Sequence, residues 1–274
     1  MNPPINVFIL TYCRNLEQFY GTELIFKTLR TGFPNARVRV VDNASVPEAR
    51  AEVARLAKAT DCAFETLASP GIEHHAFIEN AVRESAHAHA SGSAAVFLDP
   101  DVCLWRNCED LLFDRPVAGM MVEAHNDDVM QCVTMARLHT SFLWISDAAA
   151  VMKRIESLRR MHVDFRPFMP FSVKLGDVWL RYDTGASLYA AMPDACACFT
   201  DEHADYYDHL YAGSHLDLWN AVDSGDHGIL LRQTHQWAKN GDLRALRGIW
   251  RRQAEVWSHH ARPVRQPEES RGGE

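Results

Sequence analysis

No stretch of this sequence approaches the ~20 uninterrupted apolar residues that a bilayer span requires. The short apolar run near Met1 has no basic stretch before it, so neither secretion nor a membrane span is expected. Cys-x-x-Cys pairs are also absent. The seven cysteines (13, 62, 103, 108, 132, 196 and 198) are odd in number and lie in apolar stretches, which predicts reduced core thiols in a cytoplasmic, soluble protein rather than a disulfide framework. Cys196 and Cys198 read as alternating positions on a strand before they read as metal ligands. A dense basic face is missing too: 28 Lys and Arg stand against 36 Asp and Glu, for a net charge of −8, which argues against a nucleic-acid partner. Glycine is missing where a nucleotide loop would need it, because the first apolar run ends in Thr11-Tyr12-Cys13-Arg14-Asn15. A dinucleotide-dependent oxidoreductase would carry Gly-x-Gly-x-x-Gly at that point.

What is present is apolar patterning. With 47% apolar residues in 274, the chain can bury a large core. Short runs at 6–11, 38–41, 63–67 and 94–98 alternate with amphipathic stretches at 16–31, 47–60 and 72–90. This β-α-β-α-β-α-β order predicts an α/β fold with a mainly parallel sheet covered by helices, since parallel strands need crossover connections. Further on, 117–122 and 140–145 read as strands, 147–161 as a helix, and 242–260 as a helix carrying Leu243, Leu246, Ile249, Trp250 and Trp257 on one side. The tail from 263 to 274 has the composition of a disordered segment.

Ligands of such sheets bind outside the carboxyl ends of the strands, where Asp42-Asn43-Ala44-Ser45 and Asp99-Pro100-Asp101 offer carboxylates. Two carboxylates leaving a buried strand at this spacing can share a hard cation, Mg²⁺ or Mn²⁺, of the kind completed by substrate phosphates and used to neutralise a departing diphosphate. Asp-Pro-Asp is also an ordinary turn, and Asp42 to Ser45 can equally cap a turn or helix.

Taken together, five pieces in order resemble the nucleotide-binding half of GT-A glycosyltransferases, in particular the large inverting family with an Asp-x-Asp motif. They are Val7 to Tyr12, Thr28 to Pro34, Val40 to Ser45, Gly71 to Ala81, and Val96 to Asp101. The resemblance implies a single GT-A domain over 1–262, with a Rossmann-like nucleotide-sugar half at about 1–104, an acceptor-binding half at 105–241 and a C-terminal helix at 242–262. It implies transfer from a nucleotide sugar, commonly a UDP-sugar, to a glycan, lipid-linked or small-molecule acceptor.

Carried over residue by residue, the resemblance puts Thr11, Tyr12 and Arg14 at the nucleotide pocket, Asp42 and Asn43 toward the base or ribose, Asp99 near the ribose or metal, and Asp101 on the metal. His209 in His209-Leu210-Tyr211-Ala212-Gly213-Ser214-His215 is the third metal ligand it implies, with His215 in reserve. For the base of an inverting transfer the candidates are Asp177, where Gly176 replaces the Glu of the family's motif, and Asp183 before Thr184-Gly185, which is also a natural helix cap. Two other readings stand beside the enzyme: an idle GT-A-like binding protein, and a sugar nucleotidyltransferase, which the missing glycine loop disfavours. The C-terminal helix is expected to dock on the domain, with a peripheral membrane contact as its alternative. His74 and His75 are candidates to meet a diphosphate, and Trp144, Trp179, Tyr182, Tyr206 and Tyr207 to stack on a sugar.

Overall fold

The computed structural model describes residues 4–16, 19–68, 71–88, 93–127, 131–162, 164–210 and 226–260. The expected tail at 263–274 lies outside them.

Four parallel strands build the amino-terminal half: β1 (Ile5–Thr11), β2 (Arg37–Asp42), β3 (Ala63–Thr66) and β4 (Ala94–Leu98). They are linked by α1 (Phe19–Gly32), α2 (Pro47–Ala59) and α3 (His74–Ala88). Alternation along each strand feeds two cores. Val7 and Ile9 of β1 and Val96 and Leu98 of β4 join Ile25, Leu29 and Val53 on one face. Phe8 and Phe97 join Phe77, Ile78 and Val82 on the other. Apolar side chains on both faces explain why these strands read as unbroken apolar runs. At the edge, β3 is largely exposed.

After β4 come β5 (Val102–Leu104), β6 (Val117–Val122), β7 (His125–Asp127), β8 (Cys132–Thr134) and β9 (Arg137–Ile145). The seven-stranded sheet has the order β12-β6-β9-β4-β1-β2-β3, where β12 is Cys196–Cys198. Only β9 runs against the others. Helix α4 (Ala148–Met161), capped by Asp147, whose carboxylate accepts from Ala150 N at 2.9 Å, covers the α3 face together with α5 (Ala186–Ala191). This is the helix-covered, mainly parallel α/β sheet that the GT-A resemblance implied.

The second half holds more structure than its sequence suggested. Strands β10 (Phe171–Leu175) and β11 (Val178–Tyr182) form a hairpin in a separate sheet of order β10-β11-β8-β7. Strand β13 (Tyr207–His209) lies antiparallel to β5. Helix α6 (Asp226–Lys239) precedes the C-terminal segment, which is two helices rather than one: α7 (Leu243–Leu246) and α8 (Ile249–His260). Arg247 is extended and Gly248 has φ +77°, a left-handed turn that glycine enters without a Cβ clash. Ile249 and Trp250 are buried, so the first turn of α8 docks on the domain. The cysteines also need a correction. Cys13, Cys103 and Cys108 are buried core thiols, whereas Cys198, outward-facing on the edge strand β12, is exposed.

Candidate metal centre

The carboxyl end of β4 is where the sheet delivers its carboxylates. Asp99 follows Leu98 directly and its N–H bonds Ser141 O at 2.9 Å, which holds the strand end against β9. The chain then turns through Pro100 into β5. Because His209 pairs with Val102 in the β13–β5 ladder, its imidazole arrives beside the turn from more than a hundred residues away. Leu210 N closes the arrangement on Asp101 O at 2.9 Å. One donor atom from each of Asp99, Asp101 and His209 lies within 4.8 Å of the others. His209 Nε2 is 3.2 Å from Asp101 Oδ1 and 3.9 Å from Asp99 Oδ2. Asp101 and His209 are buried, while 23% of the Asp99 side chain is exposed, so the cluster opens to solvent on the Asp99 side.

Two carboxylates and one imidazole suit a divalent cation of the Mn²⁺ type, with room left for further oxygen ligands. The two carboxylates also govern the titration of the imidazole. Burial alone would push the His209 pKa down, but the Asp101 and Asp99 carboxylates outweigh it and the net shift is upward. His139, whose ring centroid is 5.1 Å from that of His209, is driven well below its ordinary pKa by burial and by His209, Arg137 and His74.

Behind the imidazole, Trp250 packs with its centroid 5.3 Å from His209 and 5.6 Å from His139. The neighbouring Asp208 ties this helix to β13. It accepts from Trp250 N at 2.7 Å, Gly248 N at 2.7 Å and Trp105 Nε1 at 2.6 Å. Burial pushes the Asp208 carboxyl up to about 6, although these donors pull the other way.

A second chain of charges leads away from Asp99. His74, in the first turn of α3, places Nε2 3.3 Å from Asp99 Oδ1. Burial lowers the His74 pKa, but Asp99 first and Asp183 second raise it, for a net upward shift. Asp183 therefore acts electrostatically on His74. Its Oδ2 is 3.1 Å from Arg137 Nη2 and 4.0 Å from Arg181 Nη2, and its Oδ1 accepts from Thr184 N at 2.8 Å. Asp177 is elsewhere. It occupies the two-residue loop of the hairpin with Gly176 (φ +61°), and strand β11 separates it from Asp183 by about 20 Å at ~3.3 Å per residue.

At the end of β1, Thr11 is buried and donates to Asp42 Oδ1 at 3.2 Å. Asp42 is itself fully buried. Its oxygens also accept from Ser45 Oγ at 2.5 Å, Ser45 N at 3.1 Å and Thr66 Oγ1 at 3.3 Å, and Arg50 Nε is 3.6 Å away. Asn43 pins the next loop, donating to Ile72 O at 2.9 Å and accepting from Gly71 N at 3.2 Å. Both side chains thus hold loops together, which is the turn-holding role weighed for this segment. Tyr12 is half-buried, and the exposed Arg14 sits 5.8 Å from its ring centroid. His215 lies outside the described residues. Of the aromatics, Trp144 and Tyr207 are core, Trp179 is exposed on the hairpin, and Tyr182 stacks on Phe171.

Asp208, His139, Arg137 and the helix start at Trp250 were not anticipated. A polar Ser141 inside the apolar run 140–145, with His139 just before it, was the available signal. The ties among Trp105, Asp208 and Trp250 bring together positions that no local pattern connects.

No family model matches the sequence, and no curated protein matches it. Solved structures similar to the chain include the bifunctional glycosyltransferase WbbM, at 10% identity and TM-score 0.43 over 72% of this chain and 38% of that one. Another is the glycosyltransferase GlyE of Streptococcus pneumoniae TIGR4, at 12% identity and TM-score 0.45 over 97% and 66%. A third is the mannosyltransferase PcManGT of Pyrobaculum calidifontis in complex with GDP-Man and Mn²⁺, at 14% identity and TM-score 0.42 over 94% and 76%. This chain thus spans 38% of the length of WbbM and 66% of that of GlyE.

Proposed function

We propose that this chain is a metal-dependent glycosyltransferase that moves a sugar from a nucleoside diphosphate, UDP in the first instance, to an acceptor hydroxyl with inversion. The observation that supports it most is the meeting of Asp99, Asp101 and His209 donor atoms within 4.8 Å at the carboxyl end of β4.

Held by those three side chains, a divalent cation supplies Lewis-acid neutralisation of a departing diphosphate. The chain's own residues do the rest. Asp101 and His209 are buried, His209 within the β5–β13 ladder and Asp101 beside it with its carbonyl accepting from Leu210 N, so the site is organised before any ligand arrives. Asp99 presents its exposed edge to the incoming phosphates. His74 stands at the positive end of the α3 dipole and offers an N–H donor on the same side. Tyr12 and Arg14 bound the nucleotide end, on a loop kept in shape by Thr11, Asp42 and Asn43.

For the acceptor proton we assign Asp183, because its charge acts on His74, whose Nε2 is 3.3 Å from Asp99, whereas Asp177 is a strand length away on an exposed loop. Asp183→Asn should lower the Mn²⁺-dependent turnover of nucleotide sugar by roughly 10²- to 10⁴-fold, the general-base contribution, with donor affinity kept. Asp177→Asn should retain most activity. Both are read by release of nucleoside diphosphate from UDP- and GDP-sugars. Parental turnover in Asp183→Asn removes the base from that position, and no turnover in the parent favours the idle binding protein.

A further inference from the structure

The four-stranded sheet has two unlike faces. Side chains alternate along a strand and residues in register share a side, so Phe171, Val173, Leu180 and Tyr182 lie on one face. Ser172, Lys174, Trp179, Arg181 and Thr134 lie on the other. On that second face Trp179 is 47% exposed, with the exposed Lys174 directly across from it and Arg181 two residues along. Asp127, at the far edge on β7, is the one carboxylate that these four strands carry.

Just past the end of β11, donors outnumber acceptors. A single oxygen, Asp183 Oδ2, serves two guanidiniums, Arg137 Nη2 at 3.1 Å and Arg181 Nη2 at 4.0 Å. The other Asp183 oxygen accepts from Thr184 N. Among the described residues neither arginine has a second carboxylate within ion-pair distance. The Arg137 side chain is only 13% exposed, and its Nη1 is buried without a hydrogen-bond partner. Thr134 Oγ1, in register with Arg181, is in the same condition. A buried donor left unpaired is costly, most of all on a charged group. Arg181, 36% exposed, carries the surplus of N–H groups out to the surface.

This surplus stands beside the metal centre. The Asp183 charge acts on His74, whose Nε2 is 3.3 Å from Asp99, and the Arg137 charge acts on His139, whose ring adjoins that of His209. Planar guanidiniums match the paired oxygens of a carboxylate or phosphate, and an exposed indole next to them offers a flat apolar platform to a sugar ring. We propose that Arg137 and Arg181 form an anion subsite that holds a carboxylate or phosphate group of the acceptor. That the ligand is an acceptor rests on the glycosyltransferase reading; that it is an anion rests on the two arginines.

The test is nuclear magnetic resonance of the full chain carrying ¹⁵N-labelled arginine. It is titrated with sodium acetate and with sodium phosphate, against sodium chloride at equal ionic strength, with and without UDP and Mg²⁺. Through-bond correlations and Arg181→Lys assign the two guanidinium signals. Both signals should shift saturably with at least one oxyanion and not with chloride, and UDP with Mg²⁺ should leave that binding in place. A response to acetate alone marks an acceptor carrying a carboxylate, and a response to phosphate alone one carrying a phosphate. Arg181→Gln should weaken the binding read at the Arg137 signal at least about tenfold, whereas Arg166→Gln, at an exposed arginine elsewhere, should bind like the parent. Thermal midpoints confirm that each variant is folded. The inference is overturned if neither oxyanion gives a saturable shift beyond chloride, or if folded Arg181→Gln binds as tightly as the parent. It is also overturned if UDP with Mg²⁺ displaces the anion, which gives the arginines to the diphosphate of the donor. Release of nucleoside diphosphate from nucleotide sugars, measured alongside, separates the two readings. Anion binding without turnover contradicts the transferase and keeps the anion subsite, while turnover without anion binding overturns the subsite alone.

Discussion

Replacing Asp208 by Ala removes the acceptor for three N–H groups at once: two from the backbone at the start of α8 and one from the Trp105 indole. Hydrogen bonds to a charged acceptor contribute about 1.5–3 kcal/mol each. Part of that sum is offset by the cost of burying the carboxylate, which is visible in its pKa being pushed up to about 6. A net loss of about 3–5 kcal/mol is expected, as when one partner of a buried charged network is deleted. At roughly 2–4 °C per kcal/mol for a chain of this size, the thermal midpoint should fall by about 6–20 °C. Asp208→Asn, which keeps one acceptor oxygen and turns the other into a donor facing donors, should fall between the parent and Ala. Because Asp208 adjoins His209 on β13, both variants should also weaken Mn²⁺ binding measured calorimetrically below the new midpoint. A shift under about 2 °C together with parental Mn²⁺ affinity would refute the idea that α8 is latched to the site through this carboxylate.

Other expectations follow from single contacts. A Cβ on Gly32 would lie 2.5 Å from Leu104 Cδ1, so Gly32→Ala should displace β5 and cost about 1–3 kcal/mol by urea unfolding, whereas a neutral effect would mean that β5 yields freely. Cys198, exposed on β12, should react first with a thiol reagent in the native protein. Cys103 and Cys108, whose thiols burial pushes far up, should wait for unfolding. Loss of the fast phase in Cys198→Ser checks this, and its persistence would move the reactive thiol elsewhere.

The amino-terminal half was legible because its strands are buried on both faces and its helices are amphipathic, so period and composition both point to alternating β and α elements. Asp99 and Asp101 were legible for a related reason: a carboxylate pair directly after an unbroken apolar strand stands at its carboxyl end. The second half was harder. Strands such as β5 and β13 are three residues long, too short to show a period, and β10 and β11 are exposed on a face that composition reads as core. His209 was reachable only through a family resemblance, because its approach to Asp101 depends on the β5–β13 pairing. The pairing of Asp183 with Arg137 and the closure of Asp42 within its own loop are long-range or side-chain events, and a list of acidic residues cannot order them. The break at Gly248 was missed because Leu243, Leu246, Ile249 and Trp250 keep a helical period across it.

The central claim is that Asp99, Asp101 and His209 hold one divalent cation for a nucleoside diphosphate. Its most direct test is Mn²⁺ titration of the folded protein by electron paramagnetic resonance, with and without UDP, in the parent and in Asp101→Asn, His209→Ala and His215→Ala. One Mn²⁺ per chain is expected in the parent, tightened by UDP. Affinity should drop by at least about 100-fold in Asp101→Asn and His209→Ala, beyond the 10–100-fold typical of residues that only support a ligand, and stay near parental in His215→Ala. Equal Mn²⁺ affinity in the parent, Asp101→Asn and His209→Ala would contradict the account.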